Sequence, residues 1–114
     1  MNAKEKAERK ASIAEHINLD NARLKDTELE LLENLVKNRI KLDGKSKTYT
    51  SSHKSFDSDG TQYVDETRTY TFRAGTPKIH IDEFFKSVWD NKTNENHYTH
   101  DSARDILNLL KKIF

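Results

Sequence analysis

Interruptions of regular structure are few in this chain, because glycine and proline together occupy only four positions. These positions are Gly44, Gly60, Gly75 and Pro77. Residues 1–43 show helical periodicity, residues 44–75 are rich in Thr, Ser and Tyr as strands are, and residues 76–114 are again helical in pattern. We therefore predict an α+β fold: a single small domain over residues 1–114, in the order α-α-β-β-α-α, with one long two-stranded antiparallel hairpin packed on helices.

The first stretch predicts two helices separated by a polar break. Residues 3–17 favour helix, and the break is expected at residues 18–21 because Asn and Asp side chains compete for backbone hydrogen bonds. One continuous helix is the alternative. The second helix, over residues 26–42, would begin at a capping box formed by Thr27 and Glu30. Its buried stripe would comprise Leu29, Leu32, Val36 and Ile40.

The middle stretch predicts a β-hairpin whose two-residue loop is Asp59-Gly60, since both positions tolerate positive φ. This register brings together aromatic, threonine and oppositely charged pairs, which stabilise sheets. These pairs are Tyr49–Tyr70, Thr48–Thr71, Lys54–Asp65 and His53–Glu66. A register shifted by two residues would instead place Tyr49 against Arg68. The segment 51–65 is polar on both faces, and we expect it to project from the body of the domain.

The third stretch predicts a short strand followed by two helices. Residues 78–81 alternate as a strand does, and Asp82 would cap a helix. The inward-facing residues of that helix would be Phe84, Phe85, Val88 and Trp89. Residues 90–97 would form a polar loop, and Thr99 or Ser102 would cap the last helix. The buried stripe of the last helix would be Ala103, Ile106, Leu107, Leu110 and Ile113.

Composition excludes several classes of protein. The chain has no cysteine, which excludes disulfides, thiolate zinc sites and cysteine nucleophiles. No apolar run approaches the roughly 20 residues of a membrane helix, and no export signal is recognisable. We therefore expect a cytoplasmic protein without a membrane partner. Charged residues make up 34% of the chain and the net charge is +1, so we expect a well-hydrated domain with a modest core.

Sequence signatures of catalysis are missing. The chain has no Gly-x-Ser-x-Gly elbow, no Walker loop and no Gly-x-Gly-x-x-Gly, and its three glycines are too scattered to cradle a phosphate. Most carboxylates stand at helix starts or opposite hairpin cations. A chain this short also has little room for a concave pocket. We expect a protein that is not an enzyme and has no cofactor.

Two patterns resemble metal sites, although each has a simpler explanation. Aligned with the calcium loop of an EF-hand, Asp57, Asp59, Gly60 and Glu66 fall at favourable positions, but Ser55 stands at the first ligand position and the flanks are strand-like. A tight turn explains the same residues. A zinc site would use His80, His97, His100 and Asp101. Solvated loop residues explain that set, so no metal is predicted, and calcium at the hairpin tip stays an open alternative.

Nucleic-acid binding is the alternative function. A helix, the helix over residues 26–42 and a hairpin follow each other as in a winged-helix module, which this order resembles over about half of the chain. The acidic residues in the first turns of the reading helix oppose DNA binding. These residues are Asp26, Glu28, Glu30 and Glu33. The hairpin carries five cations against four acids, and DNA affinity depends on phosphate neutralisation.

The favoured function is that of a small non-catalytic binding protein that contacts another protein, of the kind with which phages and mobile elements inhibit or regulate host machinery. Three surfaces are candidates. The N-terminal helix is one, since residues 1–12 have little to bury and would fray alone. The face of Phe85 and Trp89 is another, although Trp89 is expected in the core. The hairpin tip is preferred, because Phe56 and Tyr63 would be exposed aromatics of the kind that anchor interfaces. The predicted partner-binding residues are Lys54, Phe56, Asp57, Asp59, Tyr63 and Asp65.

A homodimer is a further alternative. The apolar arc predicted for the helix over residues 26–42 covers about half of its circumference, which is wider than one neighbouring layer requires. Pairing of two copies along this arc would bury surface that so small a core leaves exposed.

Overall fold

The computed structural model describes residues 1–57, 60–75 and 77–114, with the backbone alone at residues 56, 57, 61 and 62. Within these residues, four helices and a four-stranded antiparallel sheet form an α+β fold. The elements are α1 (Ala3–Ala14), α2 (Asp26–Lys37), α3 (Arg39–Leu42), β1 (Ser46–Asp57), β2 (Gly60–Arg73), β3 (His80–Trp89), β4 (Lys92–His100) and α4 (Ala103–Ile113). The sheet order is β1-β2-β3-β4, so every strand pairs with its neighbours in sequence. None of the described helices has the length and apolar character needed to cross a membrane.

The break between the first two helices confirms the prediction of separate helices. The helix α1 ends at Ala14, and Asp20 and Asn21 both take positive φ, at 45° and 55°, which excludes one continuous helix. The capping box of α2 is formed by Lys25 and Glu28, so its predicted place at Thr27 and Glu30 was wrong. The backbone N–H of Lys25 donates to Oε1 of Glu28 at 2.9 Å, so α2 begins at Asp26. The guanidinium of Arg104 on α4 also donates a hydrogen bond to Glu28, which favours this helix start over the predicted one.

The single helix predicted over residues 26–42 is divided in two at Asn38. At this residue φ is −105° and ψ is 11°, outside the helical region, so α2 ends and the four-residue α3 begins. Leu29 and Leu32 are fully buried as expected. Ile40 is 81% exposed, so its place in the buried stripe was a wrong prediction. Because helical geometry is interrupted at Asn38, the spacing that aligns Leu29 and Leu32 on one face does not extend to Ile40.

The hairpin of β1 and β2 forms in the register that the sequence analysis rejected. Tyr49 pairs with Arg68, and Gly60 lies inside β2 opposite Asp57 instead of in the loop. Gly60 takes a φ of +114°, which suits glycine at the start of this strand. Other favourable contacts replace the predicted pairs: Thr48–Thr69, whose hydroxyls are 2.9 Å apart, and Ser52–Asp65, whose hydroxyl donates at 2.5 Å.

The largest correction concerns the segment from His80 to His100, predicted as a short strand, a helix and a polar loop. It forms two strands, so the sheet has four strands and not two. Asp90 and Asn91 have φ values of 49° and 60°, the left-handed pair that a tight hairpin turn requires. The aromatic and β-branched residues of β3 suit a sheet that β2 and β4 border on both sides.

The core lies between the helices and one face of the sheet, which we call the helix-side face. The sheet contributes Tyr70, Phe72 and Ile81 to it. The last helix confirms its prediction: Ser102 caps α4 by accepting the N–H of Asp105. The buried helical residues are Ile13, Leu29, Leu32, Leu35, Ala103, Ile106 and Ile113. The molecule measures 62 × 25 × 19 Å, and the sheet extends past the helices toward the β1–β2 and β3–β4 turns.

Candidate functional site

Four side chains form one row across the uncovered part of the helix-side face. Directly paired residues in an antiparallel sheet point to the same face. The registers therefore align Tyr49 on β1, Arg68 on β2, Phe85 on β3 and Asn96 on β4. Each strand contributes one side chain, so the row depends on all three pairings at once.

The neighbouring rows add two more aromatic side chains. Tyr98 on β4 lies one row closer to the helices and is 48% exposed. Trp89 lies two rows further toward the turns. We use the term aromatic surface for Tyr49, Arg68, Phe85, Trp89 and Tyr98. The row between Arg68 and Trp89 holds three small or uncharged side chains and one carboxylate, namely Ser51, Ser87, Asn94 and Glu66.

A buried carboxylate fixes the centre of the aromatic surface. The side chain of Glu83 is only 9% exposed, and Arg68 Nη1 and His100 Nε2 lie 3.3 and 3.0 Å from its two oxygens. The guanidinium of Arg68 also lies 4.7 Å from the centre of the Phe85 ring, within cation–π range. A hydrogen bond with Tyr70 and, less strongly, the charge of Glu83 raise the pKa of Arg68 against the opposing effect of burial. The guanidinium is thus charged and held in place.

Tyr49 joins the aromatic surface to the helices. Its hydroxyl donates a 2.6 Å hydrogen bond to the backbone carbonyl of Lys112, in the last turn of α4. The ammonium groups of Lys47 and Lys112 lie 5.8 and 5.4 Å from its ring centre. The Tyr70 ring meets it edge to face at 6.0 Å. These contacts hold one end of the row at a defined position.

Trp89 is not the core residue that the sequence predicted. It is half-buried near the β3–β4 turn, where it pairs with Val64 and Lys92, and it is not part of the core cluster. Its indole Nε1 is buried without a hydrogen-bond partner among the described residues. An unsatisfied buried donor costs about 1–3 kcal/mol.

A shallow hollow lies beside the row. Arg68, Glu83, Phe85, Tyr98 and His100 line it, and its volume is about 320 Å³. Its walls combine two aromatic rings with a guanidinium that is already paired. Such a hollow has room for a small group that packs on the rings and contacts Arg68.

Three of the predicted hairpin-tip residues, Lys54, Tyr63 and Asp65, lie on the opposite face of the sheet. Lys54 and Tyr63 are paired there, with the ammonium 5.7 Å from the ring centre, and Tyr63 is 63% exposed. Asp65 lies one row away and accepts the hydroxyl hydrogen bond from Ser52. The structure therefore brings three predicted residues together. The side chains of residues 56 and 57 and all of Asp59 lie outside the described residues.

Strand geometry separates both proposed metal-binding sets. Glu66 follows Gly60 by six positions along β2, which is about 20 Å at the rise of a strand, so it is too far from the turn to complete a calcium loop. His97 and His100 are an odd number of positions apart in β4 and point to opposite faces. Across residues 1–57, 60–75 and 77–114, the structure has no cluster of three or more His, Asp or Glu suited to a metal ion.

A second apolar surface lies away from the sheet, between α2, α3 and α4. Its hollow has a volume of about 310 Å³. Leu31 and Phe114 line it and remain 50% and 48% exposed. The predicted dimer contact along α2 would use this region, and it stays a prediction.

The residues that sequence reasoning missed are Tyr49, Arg68 and Tyr98. The signal that would have indicated the surface is the alternation of Phe85, Ser87 and Trp89, followed by Asp90-Asn91 as a hairpin turn. Comparison of this chain with protein-family models, with curated proteins and with solved structures gives no match.

Proposed function

We propose that this chain is a non-catalytic binding protein that recognises another protein through the aromatic surface. The observation that carries the proposal is the row of Tyr49, Arg68, Phe85 and Asn96 across an uncovered sheet, with Tyr98 beside it. Tyr, Trp and Arg supply most of the binding energy in protein interfaces. Serine and asparagine between such anchors provide adaptable hydrogen bonds, as they do in antibody combining sites.

The fixed positions of the anchors also favour this function. Arg68 is held by Glu83 and by the Phe85 ring, and Tyr49 is held by α4. Side chains that are ordered before binding lose less conformational entropy when a partner arrives. The surface is therefore prepared for association without rearrangement of the sheet.

Protein is favoured over nucleic acid as the partner. Glu66 and Glu83 lie on the helix-side face next to Arg68, one on each side along the strands. Two carboxylates beside the central cation would repel a phosphate backbone, which is the main source of nucleic-acid affinity. The proposed setting is that of the sequence analysis, namely a cytoplasmic regulator of the phage or mobile-element type acting on host machinery.

The test is an affinity pull-down from the native cell or host lysate, with and without nuclease, using matched variants. Tyr98→Ala removes an exposed tyrosine from the aromatic surface, whereas Tyr63→Ala removes one from the opposite face. We expect a protein partner that survives nuclease and binds the Tyr63→Ala variant normally. The Tyr98→Ala variant should bind about tenfold more weakly, which is the loss typical of an interface anchor.

Two other outcomes would each overturn the proposal. Loss of the partner with Tyr63→Ala, but not with Tyr98→Ala, would identify the predicted hairpin tip as the binding surface. A partner that disappears after nuclease treatment would make nucleic acid the ligand.

A further inference from the structure

The outer edge of β4 is long and unprotected. Every residue from Lys92 to Thr99 is exposed, and the strand contains no proline. An open edge presents unpaired N–H and C=O groups to another strand unless lysine, proline or a bulge discourages pairing. The other edge, β1, carries Lys47 and Lys54 within its length. The single lysine of β4 is its first residue, so β4 is the edge less defended against pairing.

The sequence of β4 is complementary to itself around Asn96. In an antiparallel pair of identical strands centred there, Glu95 would lie opposite the partner's His97, and this contact would occur twice. Thr93 would face the partner's Thr99, and Asn94 would face the partner's Tyr98. Each of these combinations is a favourable or neutral cross-strand pair.

Other centres are less favourable for the same strand. Centring on Glu95 places two carboxylates directly opposite each other, which is destabilising. Centring on Asn94 or His97 leaves Glu95 opposite a threonine. Centring on Tyr98 places Glu95 opposite the partner's Asp101. Among these centres, only Asn96 places a histidine, whose ring can donate a hydrogen bond, opposite Glu95.

We infer that two copies of this chain pair through β4, with Asn96 of one opposite Asn96 of the other, to form a continuous eight-stranded sheet. The pairing would extend the row of the aromatic surface across both copies. Because the strands run in opposite directions, the two helical bodies would stand at opposite ends of the shared face. The two rows would then form the floor of one channel between these bodies.

A disulfide trap tests the register. The chain has no cysteine, so Asn96→Cys introduces a single thiol in each copy. Directly opposed residues have Cα atoms about 4.5–5.5 Å apart, within disulfide range. The matched variant Asn94→Cys places its two thiols about 13 Å apart in this register. We expect mild oxidation to cross-link the first variant and not the second.

Sedimentation of the unmodified chain and of charge variants completes the test. The unmodified chain should be a dimer at high micromolar concentration. Glu95→Lys should raise the dimer Kd by about tenfold, because two pairs are lost per dimer. Combining it with His97→Glu should restore affinity, since the double variant places a lysine opposite a glutamate in both contacts.

A chain that stays monomeric, or equal cross-linking of both cysteine variants, would overturn the inference. A dimer that only the Asn94→Cys variant traps would do the same. None of these results depends on the partner, so failure of the dimer and failure of the proposed function are distinguishable.

Discussion

Arg68 and Glu83 form an ion pair whose two members differ greatly in exposure. Nη1 of Arg68 lies 3.3 Å from Oε2 of Glu83, and the side chains are 48% and 9% exposed. The pair joins β2 to β3 where the core ends and the aromatic surface begins. A buried charge depends on its partner much more than an exposed charge does.

This asymmetry gives a prediction for the stability of two variants. Arg68→Met leaves the Glu83 carboxylate buried with only His100 beside it, and should lower the free energy of unfolding by about 2 kcal/mol. Glu83→Gln leaves a guanidinium that reaches water, and should cost less than half as much. Urea unfolding of the two variants measures both losses. Equal losses would show that the carboxylate is better hydrated than its burial indicates.

Acid should destabilise the protein through carboxylates that bridge helices. Hydrogen bonds from Arg9 to Glu33, one of them 3.0 Å long at Nε, hold the pKa of Glu33 below its ordinary value of 4.5. A backbone hydrogen bond from Lys25, followed by Arg104, lowers the pKa of Glu28. A carboxyl with a lowered pKa in the folded state stabilises it above the unfolded pKa. This stabilisation is lost as the pH falls through the folded pKa.

The urea midpoint should therefore be steady from pH 7 to about pH 5 and decline below that. Glu33→Gln should lower the midpoint at pH 7 and make the decline shallower. Glu8→Gln is the matched control, because Glu8 has no hydrogen bond or ion pair in the described part of the chain, and it should follow the parent curve. If all three curves have the same slope, the Arg9–Glu33 contact does not contribute to acid sensitivity.

The helical ends of the chain were more predictable than the sheet. The stripe of α4 and its cap at Ser102 follow from local sequence alone. In β3, Phe84, Phe85, Val88 and Trp89 fit a helical stripe and also two faces of a strand, so periodicity does not decide between them. The segment forms a strand because β2 and β4 pair with it on both sides and because a left-handed turn follows Trp89.

The candidate site was less predictable than the sheet, because its side chains come together only through the pairing registers of the four strands. A shift of two residues in one hairpin exchanges Tyr70 for Arg68 as the neighbour of Tyr49. Tyr98 belongs to β4, most of which was predicted as a polar loop over residues 90–97. Three of the predicted tip residues, Lys54, Tyr63 and Asp65, lie near one another because they are close in sequence on two paired strands, although Lys54 pairs with Tyr63 and not with Asp65.

The interruption at Asn38 separates a buried leucine on α2 from an exposed isoleucine on α3. Leu35, before the break, is 7% exposed, whereas Ile40, after it, is 81% exposed. Leu35→Ala should lower the free energy of unfolding by about 2–3 kcal/mol, through lost burial and the cavity left behind. Ile40→Ala should change it by less than about 0.5 kcal/mol, because the side chain is already in water. Urea unfolding distinguishes the two arrangements, since one continuous helix would bury both side chains and make the two losses similar.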